Sequence, residues 1–424
     1  MPKNALTVAI IGATGHLATT KLIPSLFGLY EKGFLPERFT IVGFSRRAWT
    51  DEDFRTYVKK SVRPRLRRHK KFKTFLEHVL YHEGYFEDTQ SFAGLRETIE
   101  KIDVGWGTSA KKLFYLSIAP DSYADVIRHL GQAFKKNHKN MNMRLLIEKP
   151  FGKDLQSAHA LQKTIDAYFA PKEVLRVDHY LGKEALRFFI SATRITPKPL
   201  VQIDRIHTVH VRLLEKADVE GRHDFYDTTG AFSDVGQNHI LVVLSTVLGL
   251  ITGQSTKSLQ TVREQFLKSL FIDTASARNA FHAQYKGYRQ DVGRHTKTET
   301  YFSVEVRSKR MKNVKIILES GKALADNVAE VEVFETGYKN PSMLRIQPMP
   351  SLSIAPAHTR MSIPGKRDAY ENIFLSALSG DRDAFSSLEE IYTSWKLSDT
   401  IKKILKTKPL HTYTKGRSFL LRKK

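Results

Sequence analysis

Cysteine is absent from all 424 residues. That excludes a disulfide framework, a thiolate metal site and a cysteine nucleophile together. Long apolar runs are missing too. No uninterrupted stretch approaches the roughly 20 residues that span a bilayer. The opening MPKNALTVAIIGATG has no basic segment leading to a small-residue cleavage site, so no secretory leader is expected. No internal repeat or low-complexity tract appears. These absences predict a soluble, cytoplasmic protein with no membrane partner.

Negative charge is also scarce, with 44 Asp plus Glu against 68 Lys plus Arg, a formal net charge of +24. A surface this basic either binds nucleic acid through phosphates or is a solvated surface that concentrates phosphorylated ligands. The densest run lies between Lys59 and Lys73, where Phe72 and Phe75 sit at helical spacing. That spacing favours an amphipathic helix over a disordered tail, and a solvated face is expected ahead of a nucleic-acid function.

The length suits two domains, because single cores stop growing near roughly 250–300 residues. In the first half, strands alternate with helices. Strands are expected at Leu6–Ile11, Phe39–Gly43, Lys112–Ile118 and Met143–Ile147, with helices from Leu17 to Gly33, Ser122 to Ala133 and Leu155 to Tyr168. Alternation of this kind predicts a parallel sheet wrapped by helices. From about Ile203 the period becomes two. Ile206–Leu213, Tyr301–Arg307, Val314–Leu318 and Val331–Phe334 read as strands of a mainly antiparallel sheet, and Ala369–Leu378 and Leu388–Leu405 as helices. The expected architecture is α/β followed by α+β: a Rossmann-type domain over 1–177, then a larger α+β domain with a mainly antiparallel sheet over 178–424.

Gly12-Ala13-Thr14-Gly15-His16-Leu17 follows the first strand. Glycines at a strand-to-helix turn let the backbone approach a pyrophosphate, which the free N–H groups of the helix start then meet. At the end of the second strand an NAD site usually carries an acid; this chain has Ser45-Arg46-Arg47. An arginine there grips a 2′-phosphate, which points to NADP.

Three further segments carry chemistry. Arg176-Val177-Asp178-His179-Tyr180-Leu181-Gly182-Lys183-Glu184 packs a carboxylate, an imidazole, a phenol and an ammonium together. His179, Tyr180 and Lys183 suit an anion, with Asp178 supporting a nearby proton transfer. Glu148-Lys149-Pro150-Phe151-Gly152 closes a parallel strand where open α/β sheets place ligands, and the proline keeps Lys149 extended. Gly230 to His239 reads GAFSDVGQNH; an imidazole suits a base near neutrality, but His239 taken alone reads first as a satisfied core histidine.

The nonapeptide RVDHYLGKE closely resembles the signature of glucose-6-phosphate 1-dehydrogenases. GATGHLATTKLIP, EKPFG and DVGQNH resemble that family's other blocks, and the resemblance runs from Gly12 to about Glu330. It implies oxidation of a sugar phosphate at C1 by hydride transfer to NADP, with no metal. His239 becomes the general base, Asp178 the partner that orients its ring, and Lys149 a lysine touching substrate and coenzyme. His179, Tyr180 and Lys183 match phosphate ligands, while Glu215, Asp234 and Lys322 match groups on the sugar. The coenzyme set is Gly12, Ala13, Thr14, Gly15, His16, Leu17, Lys21, Arg46, Tyr115 and Lys149. Gfo/Idh/MocA-type oxidoreductases share the Glu-Lys-Pro element. Three positions depart from the family: His16 replaces an aspartate, while Ser233 and Asn327 each replace an arginine. Ser233 and Asn327 keep open a relative acting on another sugar or sugar phosphate, and the basic surface keeps open an idle paralogue that binds nucleic acid. A homodimer or homotetramer is expected.

Overall fold

The computed structural model describes residues 5–135, 142–196, 200–219, 221–253, 257–363, 365 and 367–417. The chain forms two compact units. The first comprises Met1–Gly152, Gln156–His179 and Arg367–Phe385, and the second Lys153–Leu155, Tyr180–Lys366 and Ser386–Lys424. The sequence alone predicts one boundary after Val177, with everything beyond it in the second domain. The structure instead returns Arg367–Phe385 to the first unit. The reason is a long-range docking that no local pattern encodes: Ile373, Phe374 and Ala377 of the helix Ala369–Ser379 join the same core as Leu6, Val8 and Ile10. Ser25 donates to both carboxylate oxygens of Asp368 at 2.9 Å, and Lys32 pairs with Glu371 at 2.6 Å.

The first unit is built on six parallel strands: β1 (Leu6–Ile11), β2 (Phe39–Ser45), β3 (Val79–Glu83), β4 (Lys111–Leu116), β5 (Met143–Glu148) and β6 (Val174–Val177), in the order β3-β2-β1-β4-β5-β6. Every residue of β1 is buried because both faces are covered. Leu6, Val8 and Ile10 enter one core with Leu26 and Phe27; Ala9 and Ile11 enter another with Phe92 and Ile127. The order reverses between β1 and β4, which makes their carboxyl ends the natural ligand crevice. The helix expected after Gly15 is present, π-helical over Ala18–Leu22 and α-helical over Ile23–Glu31.

The second unit holds a ten-stranded sheet of β7 (Ile206–Leu214), β8 (Leu270–Phe271), β9 (Phe281–Tyr285), β10 (Tyr301–Ser308), β11 (Met311–Gly321), β12 (Val328–Glu335), β13 (Ser342–Gln347), β14 (Ser351–Ser353), β15 (Met361–Ser362) and β16 (Leu410–Tyr413). The order is β15-β14-β13-β12-β7-β11-β10-β9-β16, with β8 beside β10. Among the described residues, only the pairs β7–β11 and β9–β16 of this sheet are parallel. Along β7, Val209, Val211 and Leu213 enter the core, while His210 and Arg212 alternate with them. Arg212 lies opposite Glu319 on β11 and Glu330 on β12, pairing with Glu330 and Glu332, so opposite charges run across the strands.

One stretch departs from the expectation about apolar length. His223–Ile251 is helical for 29 residues and apolar enough to cross a membrane by length and composition, yet 89% of its apolar window is buried within the structure. It is the central core helix of this unit, kinked where Gly230 adopts φ 73°.

Candidate active site

In the first unit, β1 ends at Gly12, whose φ is +85° and where a Cβ would lie 2.3 Å from the Ser117 carbonyl oxygen. Only glycine fits. The turn is held from three sides. Gly12 and Ala13 N–H both donate to the Phe44 carbonyl, Thr14 Oγ1 lies 2.9 Å from Ser45 Oγ, and Tyr57 donates to the Thr14 carbonyl at 2.7 Å. His16 and Lys21 are exposed beside it. Arg46 is exposed at the end of β2 and has no ion pair among the described residues. The acids that follow are engaged elsewhere: Asp51 accepts from Tyr81 N–H, and Asp53 completes the capping box with Thr50. A cradle that rejects a Cβ, and a strand end with cations in place of an acid, fit a dinucleotide carrying an extra phosphate.

A second group gathers at the carboxyl ends of β4, β5 and β6. Glu148 is buried and accepts from Tyr115 at 2.5 Å and from Tyr370, while Tyr123 donates to its backbone carbonyl at 2.9 Å. Burial is the main cause that pushes its pKa from 4.5 up to about 7, helped by the Asp178 carboxylate and opposed by the tyrosine hydroxyls and Lys149. Lys149 is half-buried next to it. Asp178 is 3% exposed at the end of β6, and the His179 ring stacks on Tyr370 at 5.9 Å and 12°. Tyr115, expected as a coenzyme contact, sits near the end of β4 with its side chain turned into the core. It is fully buried and its hydroxyl serves Glu148, so it supports the carboxylate beside Lys149. Tyr370, almost 200 residues from the nonapeptide, is a neighbour that sequence reasoning missed.

In the second unit, three predicted residues meet. Lys322, just past β11, pairs with Glu215, which follows β7, and lies 3.6 Å from Asp234; Arg222 reaches Asp234 at 3.8 Å. Backbone bonds fix this register, since Glu215 N–H donates to the Gly321 carbonyl and Leu324 N–H to the Glu215 carbonyl. Asp234 and His239 share the π-helical stretch Phe232–Ile240, so His239 lies inside a helix. Such π segments recur at functional sites. His239 is 4% exposed, and its ring centroid is 4.5 Å from that of Tyr180. The Lys183 ammonium donates to Gln347 at 3.3 Å and makes no side-chain cap of the helix it precedes.

Glu299 is the other residue missed. Its carboxylate accepts Phe232 N–H and its carbonyl accepts Ala231 N–H, each at 3.0 Å, at the kink that starts the His239 helix. Burial raises its pKa. The only sequence signal was Gly230, where a Cβ would lie 2.5 Å from the Glu299 carboxylate.

A switch-point turn suited to a dinucleotide, and in the same chain a buried imidazole carried with a carboxylate–lysine cluster, define a nicotinamide-coenzyme oxidoreductase. Comparison with known proteins narrows that class. Residues 9–187 match the family profile described as glucose-6-phosphate dehydrogenase, NAD binding domain, and residues 193–347 match its C-terminal domain. The chain belongs to the glucose-6-phosphate dehydrogenase family. It is 28% identical to the chloroplastic glucose-6-phosphate 1-dehydrogenase of Nicotiana tabacum, over 96% of this chain and 77% of that protein. It is 29% identical to glucose-6-phosphate 1-dehydrogenase 2 of Mycobacterium bovis, over 92% and 87%. Among solved structures, a glucose-6-phosphate dehydrogenase in complex with glucose 6-phosphate superposes with a TM-score of 0.86 at 26% identity, covering 100% of this chain and 97% of that one.

Proposed function

We propose that this chain oxidises glucose 6-phosphate at C1 to 6-phosphogluconolactone, with His239 as general base and Asp178 as its supporting carboxylate. The enzyme class and NADP as coenzyme follow from the family. When bound, NADP supplies the hydride acceptor. The protein's own tasks are to hold the sugar and to remove the hydroxyl proton. Glu215, Asp234 and Lys322 bind sugar hydroxyls, His179, Tyr180 and Lys183 bind the phosphate, and Lys149 bridges substrate and coenzyme. Gly12 to Leu17, Lys21 and Arg46 hold the coenzyme, Arg46 at the 2′-phosphate. His239 Nδ1 or Nε2 takes the C1 hydroxyl proton, and Asp178 stabilises the imidazolium.

The observation that carries this reading is the shared helix. The stretch that brings Asp234 to Lys322 also holds a buried imidazole rigidly five residues on. Replacing His239 by Asn preserves size and removes the titrating nitrogen, so turnover should fall by about 10²–10⁴ while substrate binding changes little. A folded, NADP-binding His239→Asn protein with wild-type turnover would overturn the assignment. A panel of sugar phosphates and free sugars tests the substrate, since Ser233 and Asn327 stand where the family carries arginines. A homodimer or homotetramer in a cytoplasmic setting belongs to the same proposal. Light scattering and cell fractionation test it, the latter against the plastid location named for the tobacco relative.

A further inference from the structure

The catalytic reading leaves the strongest charge feature of the chain unused. Between Lys59 and Lys73 stand nine lysines and arginines, Lys59 and Lys60 at the end of the helix Asp51–Ser61, then Arg63, Arg65, Arg67, Arg68, Lys70, Lys71 and Lys73, and all nine are exposed. No acid occurs from Phe54 through Leu76. None of the nine forms an ion pair among the described residues, and Lys71 reaches only the Glu31 backbone carbonyl. Elsewhere the exposed cations are often neutralised, as Lys268 is by Glu389 and Lys415 by Asp218 and Asp291.

A charge run in a disordered tail would carry little information, but this one is fixed in place. Val58, Val62, Phe72 and Phe75 are buried beneath it in the core of the first unit, and Phe27 meets Phe72 and Phe75 edge to face at 5.1 and 5.3 Å. The cations are thus held on folded helices, with part of their ordering cost already met by the fold. Concentrating so many like charges is unfavourable by itself, and a polyanion relieves it by releasing its own counterions.

The same surface says what kind of polyanion fits. Between residues 51 and 79 no large apolar or aromatic side chain is exposed. That leaves no platform on which unstacked bases could lie and no wedge to enter a bilayer. A double helix presents stacked bases inward and phosphates outward, so it asks only for cations. Four of the nine are arginines, which contact phosphate oxygens in bidentate fashion. We propose that Lys59–Lys73 is a docking surface for the phosphate backbone of double-stranded nucleic acid, independent of the residues assigned to catalysis.

The test uses the full chain and a fluorescein-labelled DNA duplex of about 25 base pairs, with fluorescence anisotropy read from about 50 to about 200 mM salt. The expected result is binding whose logarithmic affinity falls with logarithmic salt at a slope of about −4 to −7, near −0.9 per phosphate contacted. The single strand of the same sequence and vesicles containing phosphatidylserine should bind at least about tenfold more weakly. Exchanging Arg63, Arg65, Arg67 and Arg68 for Gln should weaken duplex binding at least about tenfold and flatten the slope by roughly 3, with dehydrogenase kinetics unchanged. A control exchanging the exposed Lys312, Lys315, Lys396 and Lys403 for Gln removes the same charge from the second unit and should leave binding nearly intact. No binding at low salt, equal losses in the two variants, or tighter binding to vesicles or single strand would each overturn the proposal.

Discussion

Glu148 makes the pH dependence of stability a test of the site's electrostatics. Its carboxyl ends β5 directly before Lys149, and burial raises its pKa from 4.5 to about 7. In the unfolded chain it titrates near its ordinary value. Between those limits the unfolded state gives up its proton while the folded state keeps it. The stability contributed by the neutral carboxyl is therefore fully present below about pH 4.5 and is lost as pH rises through 7. At about 1.4 kcal/mol per pH unit, the full interval corresponds to roughly 3 kcal/mol. Glu148→Gln keeps an oxygen to accept from Tyr115 and removes the titration. Urea unfolding of both proteins should show the variant gaining about 2.5 kcal/mol relative to the wild type between pH 5 and pH 8, because titrating groups that do not interact with Glu148 cancel in the difference. Equal m-values are required for that comparison. A difference that stays flat across this range would refute the enclosed, partly neutral carboxyl.

Arg46→Ala should raise the Michaelis constant for NADP by a factor equivalent to roughly 1.5–3 kcal/mol and leave that for NAD nearly unchanged, as steady-state kinetics with both coenzymes will show; equal losses would remove Arg46 from the 2′-phosphate. Lys183→Ala should depress kcat/KM far more for a sugar phosphate than for the unphosphorylated sugar, because binding energy at the remote phosphate helps position C1. Glu299→Ala leaves the Phe232 N–H without its acceptor at a buried helix start and should cost about 1–3 kcal/mol in denaturant unfolding, with turnover reduced; Glu299→Gln restores an acceptor and should recover most of both.

What the sequence reveals of this site, and what it hides, follows from distance along the chain. RVDHYLGKE, EKPFG and DVGQNH are legible because each concentrates polar chemistry within ten residues, and the parallel sheet is legible because strands such as β1 and β5 are nearly unbroken apolar runs. β6 escaped notice, being four residues long with Arg176 inside it. The contribution of Tyr370 to the surroundings of His179 and Glu148 could not be read from any local window, since its helix returns to the first unit after nearly 200 residues. Glu299 was hidden for the same reason, as was the hydrogen bond from Tyr115 to Glu148. The departures from the family work in the opposite direction, being plain in the sequence and given their meaning by the structure. Ser233 and exposed Asn327 bring no cation to the sugar residues, so Lys322 and Arg222 are left to face Asp234, and Lys322 is shared with Glu215. On the proposed assignment, affinity for the sugar rests heavily on one buried ammonium. Lys322→Met would remove the ammonium that Glu215 and Asp234 share, so the loss of substrate affinity should be larger than a single hydrogen bond's about 1 kcal/mol. A loss of that small size or less would show that the cluster is no more than structural.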